Sequence, residues 1–177
     1  PCSSPSAGFV DGGRPRRPPS TSRRRLDTRV SRLTFAYVTT VDISPSVYAD
    51  RSALMDAAAT RIVELARDAI ARAGRFTLVL AGGSTPRALY ALLASERFAK
   101  RVDWSRVHFF WGDERCVPPD HAESNYRMAR ETLLDAVKPP PANVHRMFGE
   151  EDPTKAAADY EALLHRFFDV PIAGSAP

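Results

Sequence analysis

The sequence has little cysteine and no long apolar run. Among its 177 residues, Cys2 and Cys116 are the only cysteines, too few for a disulfide framework, and they lack the spacing typical of a metal site. We therefore expect a reducing compartment and predict no metal ligands. No apolar stretch approaches the length of a membrane span, so no membrane partner is expected.

Two common phosphate-binding motifs are also missing. The chain contains neither the P-loop pattern G-x-x-x-x-G-K-[ST] nor the dinucleotide fingerprint G-x-G-x-x-G. Any phosphate-binding turn in this protein must therefore have a different sequence from these two motifs.

Positive charge is concentrated at one end of the chain. The formal net charge is +4, but residues 1–35 hold eight arginines against Asp11 and Asp27, a local balance of +6. The remaining residues are therefore mildly acidic, at −2. No nucleic-acid partner is predicted for that globular part.

Residues 1–34 are rich in Arg, Pro and Ser and poor in apolar side chains, so we expect a disordered arm. Three interpretations are open. The arm is a transit segment for an organelle, a basic arm for nucleic acid, or upstream sequence outside the functional protein. The first residue is Pro1 rather than Met, which favours the third interpretation.

Strand-like and helix-like segments alternate through the rest of the chain. The patterns predict strands at 35–43, 76–81, 107–111 and 143–147, and helices at 52–73, 86–97, 123–137 and 152–167. The strand at 76–81 should be buried on both faces. The first helix should bury Leu54, Ala58, Ile62, Leu65, Ala69 and Ala73. This alternation predicts an α/β fold with a parallel sheet, whose ligands bind at the C-terminal ends of the strands.

A Gly-Gly turn follows the predicted strand at 76–81. Gly82 and Gly83 allow the backbone to turn tightly and to approach a ligand. Thr85 is expected to cap the next helix, with Pro86 in its first position. The turn and the helix N-terminus together present N–H groups to an anion, of which phosphate fits best. The alternative is an ordinary strand-to-helix turn.

A second polar loop follows the predicted strand at 107–111. It contains Asp113, Glu114 and Arg115, and His121 and Asn125 come later on the same loop. An arginine can grip a phosphate with two parallel N–H bonds, and a carboxylate can orient it or hold a sugar hydroxyl. The alternative is a solvated surface turn with an ion pair. For His121 the favoured interpretation is a surface imidazole.

Both loops resemble those of the 6-phosphogluconolactonase family. The resemblance rests on A-G-G-S-T-P at 81–86 and on W-G-D-E-R-C-V-P-P-D-H-A-E-S-N-Y at 111–126, and it extends over residues 45–170. It implies a Rossmann-like parallel sheet with flanking helices, truncated on its C-terminal side. It also implies hydrolysis of 6-phosphogluconolactone to 6-phosphogluconate in the oxidative pentose phosphate pathway, without a metal or an organic cofactor. We expect a cytoplasmic protein, or an organellar one if residues 1–34 are a transit segment.

The resemblance also assigns roles to single residues. Arg115 would bind the phosphate and Asp113 would shape the sugar pocket, while other positions would contact or line the substrate site. These other positions are Gly82, Gly83, Ser84, Thr85, His121 and Asn125. The expected partner is therefore a small sugar phosphate.

The family's catalytic histidine is the one group that this sequence does not supply. The resemblance implies a general-base histidine in a later loop of the type Gly-x-Gly-x-Asp-Gly-His, and no such loop occurs here. His108, His121, His145 and His165 stand in other contexts. We therefore expect residues 35–177 to be the N-terminal part of a sugar-phosphate lactonase domain, inactive alone. The alternatives are a sugar-phosphate deaminase or isomerase, and a non-catalytic sugar-phosphate-binding protein.

Overall fold

The computed structural model describes residues 45–170, and the predicted arm at 1–34 and strand at 35–43 lie outside the described residues. Within this range the strands are β1 (Phe76–Leu80) and β2 (Val107–Trp111). The helices are α1 (Arg51–Ala73), α2 (Ser84–Leu93), α3 (Glu96–Ala99), α4 (Asn125–Ala129), α5 (Asp135–Val137) and α6 (Pro153–Phe168). A π-helical turn, Arg130–Leu134, joins α4 to α5. Short 3₁₀ turns lie at Trp104–Arg106 and Pro141–Asn143.

The two strands pair in parallel, in a register that aligns Phe76 with Val107 and Leu80 with Trp111. Their connection runs through α2 and α3, as a parallel pair requires. The predicted α/β fold with a parallel sheet is therefore confirmed.

The predicted strand at 143–147 is wrong. Only one parallel bridge forms there, between Phe109 and Val144, and the His145 N–H donates to the Phe109 carbonyl at 2.9 Å. The chain reaches this point from the 3₁₀ turn Pro141–Asn143, which begins at the third of three consecutive prolines. Proline lacks the N–H that a strand ladder needs, so pairing starts late and stays short.

Two helix boundaries also differ from the pattern. The helix predicted at 86–97 is two helices, because Ser95 ends α2 by donating its hydroxyl to the Leu92 carbonyl at 2.6 Å and precedes α3. The helix predicted at 123–137 begins at Asn125, where the Ser124 hydroxyl caps it by accepting from the Arg127 N–H at 3.1 Å.

One face of the sheet packs against α1 and α2 to form the core. Its members include Leu80, Phe109 and Trp111 from the strands and Leu93 from α2. The buried stripe of α1 is Met55, Ala59, Val63 and Ala66, one position along from the predicted face. Leu54 and Leu65 are exposed, so that part of the prediction is wrong. Two apolar stripes run side by side on α1, and packing rather than periodicity selects between them.

Within residues 45–170, the other face of the sheet is covered over β2 but not over β1. Phe110 of β2 is fully buried, with its ring centroid 4.9 Å from that of Phe167 on α6. Val79 of β1 is 63% exposed. The expectation that the strand at 76–81 is buried on both faces is therefore wrong, since α6 covers only the neighbouring strand.

A pair of histidines lies on this second face. His108 Nδ1 and His145 Nε2 are 3.2 Å apart, and the His145 ring stacks on Phe110 with centroids 4.5 Å apart. Burial lowers the pKa of both imidazoles, and the neighbouring Arg75 lowers that of His108 further. The folded protein therefore favours the neutral pair.

We expect acidification to destabilise the protein through this pair. Because the folded-state pKa of each imidazole lies below the unfolded value of 6.5, the unfolded chain binds more protons, and the free energy of unfolding falls as the pH drops through that range. Thermal melts at about pH 7.5 and about pH 5.5 should show a lower Tm at the lower pH. His145→Phe keeps the aromatic stack but removes one titrating ring, so its pH-dependent drop in Tm should be smaller. Equal drops in both proteins would contradict this account.

Candidate functional site

Each strand ends at a tyrosine hydroxyl contributed by a helix. The Tyr90 hydroxyl of α2 accepts from the Ala81 N–H at 2.8 Å and donates to the Ala81 carbonyl at 3.1 Å. The Tyr160 hydroxyl of α6 does the same at Trp111, at 2.9 and 3.1 Å. Burial raises the pKa of both phenols, which keeps the hydroxyls protonated as donors. The loops that leave the two strands therefore start from fixed points.

The Gly-Gly turn leads directly into α2. Gly83 has a φ of 103°, a conformation that side chains disfavour, and the helix starts one residue later at Ser84. The predicted cap at Thr85 is wrong, because Gly83 occupies the flanking position and no side chain caps this helix. Pro86 is the third helical residue, where its missing N–H costs no helical bond. The first turn of α2 therefore presents backbone N–H groups without a capping side chain.

Gly82 lies against the side chain of Asn125. A Cβ atom built on Gly82 would overlap the amide oxygen of Asn125, so any other residue fits here only if the Asn125 side chain moves. The Asn125 Nδ2 donates to the Asp113 carbonyl at 3.1 Å. Asn125 is only 5% exposed. It therefore joins the two loops from a largely buried position.

Glu114 is bonded inside its own loop. Its carboxylate accepts from the backbone N–H groups of Arg115, Asn125 and Tyr126, at 2.8, 2.7 and 2.8 Å. It also accepts from the Ser124 hydroxyl at 3.2 Å. A carboxylate at a helix N-terminus satisfies donors that the helix leaves free and faces the positive end of its dipole.

The predicted site residues divide between two cavities and the surface. A cavity of about 240 Å³ is lined by Gly83, Ser84 and Asn125 together with Arg87. Arg115 lines a different cavity, of about 530 Å³, that extends to Tyr160. The structure thus brings the Gly-Gly turn and Asn125 together, and it places Arg115 apart from them.

The remaining predicted residues are exposed. Thr85, Asp113 and His121 are all solvent-accessible. His121 Nδ1 accepts from the Glu123 N–H at 3.2 Å, a local contact within the loop. Sequence reasoning missed Arg87, although its place in the first turn of α2 was a signal for a cation beside the Gly-Gly turn.

Two kinds of feature are absent from the part of the chain that the structure describes. Among residues 45–170, no group of three His, Cys, Asp or Glu side chains is arranged to hold a metal ion. None of the helices in that range combines the length and hydrophobicity needed to cross a membrane.

The paired strands, their flanking helices and the two joined loops define an α/β protein with a polar site at the C-terminal ends of its strands. Residues 49–176 match the family model described as glucosamine-6-phosphate isomerases/6-phosphogluconolactonase. The chain therefore belongs to this family.

Curated relatives carry the second of those names. A 6-phosphogluconolactonase of Nostoc sp. is 41% identical over 131 residues, covering 73% of this chain and 51% of that protein. One of Mycobacterium leprae is 38% identical over 149 residues, covering 76% and 59%. A 6-phosphogluconolactonase of Arabidopsis thaliana named as chloroplastic is 43% identical over 91 residues, covering 51% and 28%. The chain spans about half the length of the curated relatives it matches.

Solved structures agree on the fold. The 6-phosphogluconolactonase from Trypanosoma cruzi matches with a TM-score of 0.62 at 30% identity, covering 76% of this chain and 55% of that one. A monomeric glucosamine-6-phosphate deaminase matches with a TM-score of 0.60 at 17% identity, covering 67% and 48%. The second match shows a shared fold only.

We expect Gly82→Ala to destabilise the protein by about 1–3 kcal/mol, the usual cost of forcing extra volume into a packed position. The added methyl would overlap the Asn125 amide. Gly112→Ala is a matched control, since its Cβ would meet other atoms at an ordinary 3.8 Å. Chemical denaturation would measure both changes.

A double variant tests whether Asn125 is the cause. In Gly82→Ala/Asn125→Ala the overlap is removed, so this protein should be no less stable than Asn125→Ala alone. A further loss on adding Gly82→Ala would show that the strain lies elsewhere.

Proposed function

We propose that this chain supplies the substrate-binding part of a 6-phosphogluconolactonase, which hydrolyses 6-phosphogluconolactone to 6-phosphogluconate in the oxidative pentose phosphate pathway. The observation that carries the proposal is the junction of the two loops through Asn125, which contacts Gly82 and donates to the Asp113 carbonyl. This junction holds an anion-facing turn beside a loop of exposed polar groups. The relatives' names supply the reaction.

The charge distribution suits a sugar phosphate. The N–H groups of Ser84 and Thr85 in the first turn of α2 face a phosphate as donors, and the helix dipole favours its negative charge. Arg87 lines the same cavity, and Arg115 adds a second guanidinium from the neighbouring loop. Asp113, exposed at the end of β2, is available to accept hydrogen bonds from sugar hydroxyls. Asn125 lines the same cavity as Arg87. His121 lies exposed on the loop before α4, where its Nδ1 accepts from the Glu123 N–H.

Lactone hydrolysis also needs a base that takes a proton from the attacking water. The water oxygen bonds to the lactone carbonyl carbon, the ring C–O bond breaks, and the released oxygen takes up a proton. Among the described residues, His108 contacts His145, His165 Nδ1 lies 2.7 Å from the Val170 carbonyl oxygen, and His121 accepts from the Glu123 N–H. The part of this chain in the reaction is therefore to bind and orient the substrate.

A second function from the same family is the conversion of an amino sugar phosphate. The family model covers glucosamine-6-phosphate isomerases as well as lactonases. Release of ammonia from glucosamine 6-phosphate, set against opening of the lactone, separates the two. A non-catalytic sugar-phosphate-binding protein would bind without either reaction. A cytoplasmic location stays a prediction.

We expect residues 1–177, expressed alone, to show no lactone hydrolysis above the spontaneous rate, because none of their histidines lies in the family's base motif. Base-titrated acid release from 6-phosphogluconolactone measures this. A Nostoc relative assayed in parallel confirms that the substrate and assay are sound. Turnover at ordinary enzymatic rates would show that another group of this chain acts as the base.

We expect Arg115→Ala to weaken binding of 6-phosphogluconate by about 2 kcal/mol, roughly 30-fold, because a charged bidentate contact is lost. Arg67→Ala is the matched control, since Arg67 is exposed on α1, away from both loops. Isothermal titration calorimetry gives the Kd of each protein. Unchanged binding in Arg115→Ala together with a loss in Arg87→Ala would transfer the phosphate role to Arg87, whose cavity contains the Gly-Gly turn.

A further inference from the structure

The two acidic residues that follow β2 have different surroundings. Asp113 is exposed, and its backbone carbonyl accepts from the Asn125 amide. Glu114 is partly buried, and every hydrogen bond of its carboxylate points into the protein. The sequence places the two side by side and gives no reason to separate them.

We propose that Glu114 is the positioning residue of this site: it fixes the groups that contact the sugar phosphate without contacting the ligand itself. This inference rests on the proposed function. It assigns the carboxylate that faces the sugar to Asp113 and the carboxylate that orders the loop to Glu114.

The carboxylate of Glu114 has no free acceptor capacity for a ligand. Its Oε1 accepts from the N–H groups of Arg115 and Asn125, and its Oε2 accepts from the Tyr126 N–H and the Ser124 hydroxyl. A carboxylate offers about four lone-pair sites, and these four donors use them. Two of the donors belong to the first turn of α4, ten or more residues further along the chain.

These hydrogen bonds fix the positions of the groups that face the ligand. The bond to the Arg115 N–H fixes the backbone from which that guanidinium extends. The bond to the Asn125 N–H fixes the residue whose side chain holds the Asp113 carbonyl and packs on Gly82. Both loops of the site therefore depend on this one carboxylate.

The negative charge matters as well as the shape. Glutamine has nearly the same size as glutamate, but an NH₂ group replaces one of the two carboxylate oxygens. This group donates hydrogen bonds and cannot accept them. In Glu114→Gln that group would face either the N–H groups of Arg115 and Asn125 or the Tyr126 N–H and the Ser124 hydroxyl. Donors would then face donors, and the attraction to the N-terminus of α4 would be lost.

The test compares Glu114→Gln with wild type in the full native chain. Binding of 6-phosphogluconate is measured by calorimetry, at a temperature well below the Tm of both proteins so that both are folded. We expect the Kd to rise about tenfold, the scale of losing hydrogen bonds to a charged group. Glu64→Gln is the control, because Glu64 is exposed on α1, pairs with Arg61 at 3.6 Å, and undergoes the same change of charge.

A purely structural role would give a different result. Glu114→Gln would then lower the Tm, while the folded fraction would bind 6-phosphogluconate as wild type does. A Kd within about twofold of wild type, in protein shown to be folded, overturns the positioning role. Should Glu114→Gln not fold, Glu114→Asp serves for the same comparison, because it keeps the charge but withdraws the carboxylate by one methylene.

Hydrogen exchange separates this inference from the proposed function. In Glu114→Gln the amides of Arg115, Asn125 and Tyr126 should exchange faster, while those of β1 and β2 keep their protection. If wild type does not bind 6-phosphogluconate, the proposed function fails, and the exchange data still decide whether Glu114 orders the loop. Unchanged exchange at those three amides overturns the inference whether or not the ligand binds.

Discussion

The parallel pairing of β1 with β2 is the constraint on which the rest of this structure depends. In the observed register Leu80 lies opposite Trp111, so both strands end at the same level. The Gly112 N–H then donates to the Leu80 carbonyl at 3.0 Å, which carries the pairing one residue into the second loop. The loops that follow β1 and β2 are about thirty residues apart in sequence, and the strand pairing places them side by side. A site can therefore form between these two loops.

Much of this framework could be predicted from the sequence. The strand at 107–111 has the predicted bounds, because a short apolar run between polar residues favours a buried strand. The observed β1 is one residue shorter than its prediction. The exposure of Val79 could not be predicted, since it depends on whether a helix covers that part of the sheet. Likewise, the buried stripe of α1 was set by its neighbours. Local pattern defines an element, and tertiary packing decides which of its faces is buried.

The site shows the same division. The Gly-Gly turn and the acidic loop were visible as motifs, because each is contiguous in the chain. The overlap that an alanine at Gly82 would cause and the link from Glu114 to Asn125 could not be seen, because both join residues more than ten positions apart. The expected cap at Thr85 was wrong for a related reason. Gly83 turns the chain at a positive φ, and the helix begins at Ser84, two residues earlier than predicted.

The tyrosines at the strand ends have a consequence for how such a protein can change over evolutionary time. Tyr90 and Tyr160 terminate β1 and β2 from helices that lie outside both loops. The ends of both strands are therefore held by hydrogen bonds from residues outside the two loops. Loop side chains can therefore change during evolution, and with them the molecule that the protein recognises. The four tyrosine hydrogen bonds at the strand ends are kept when this happens.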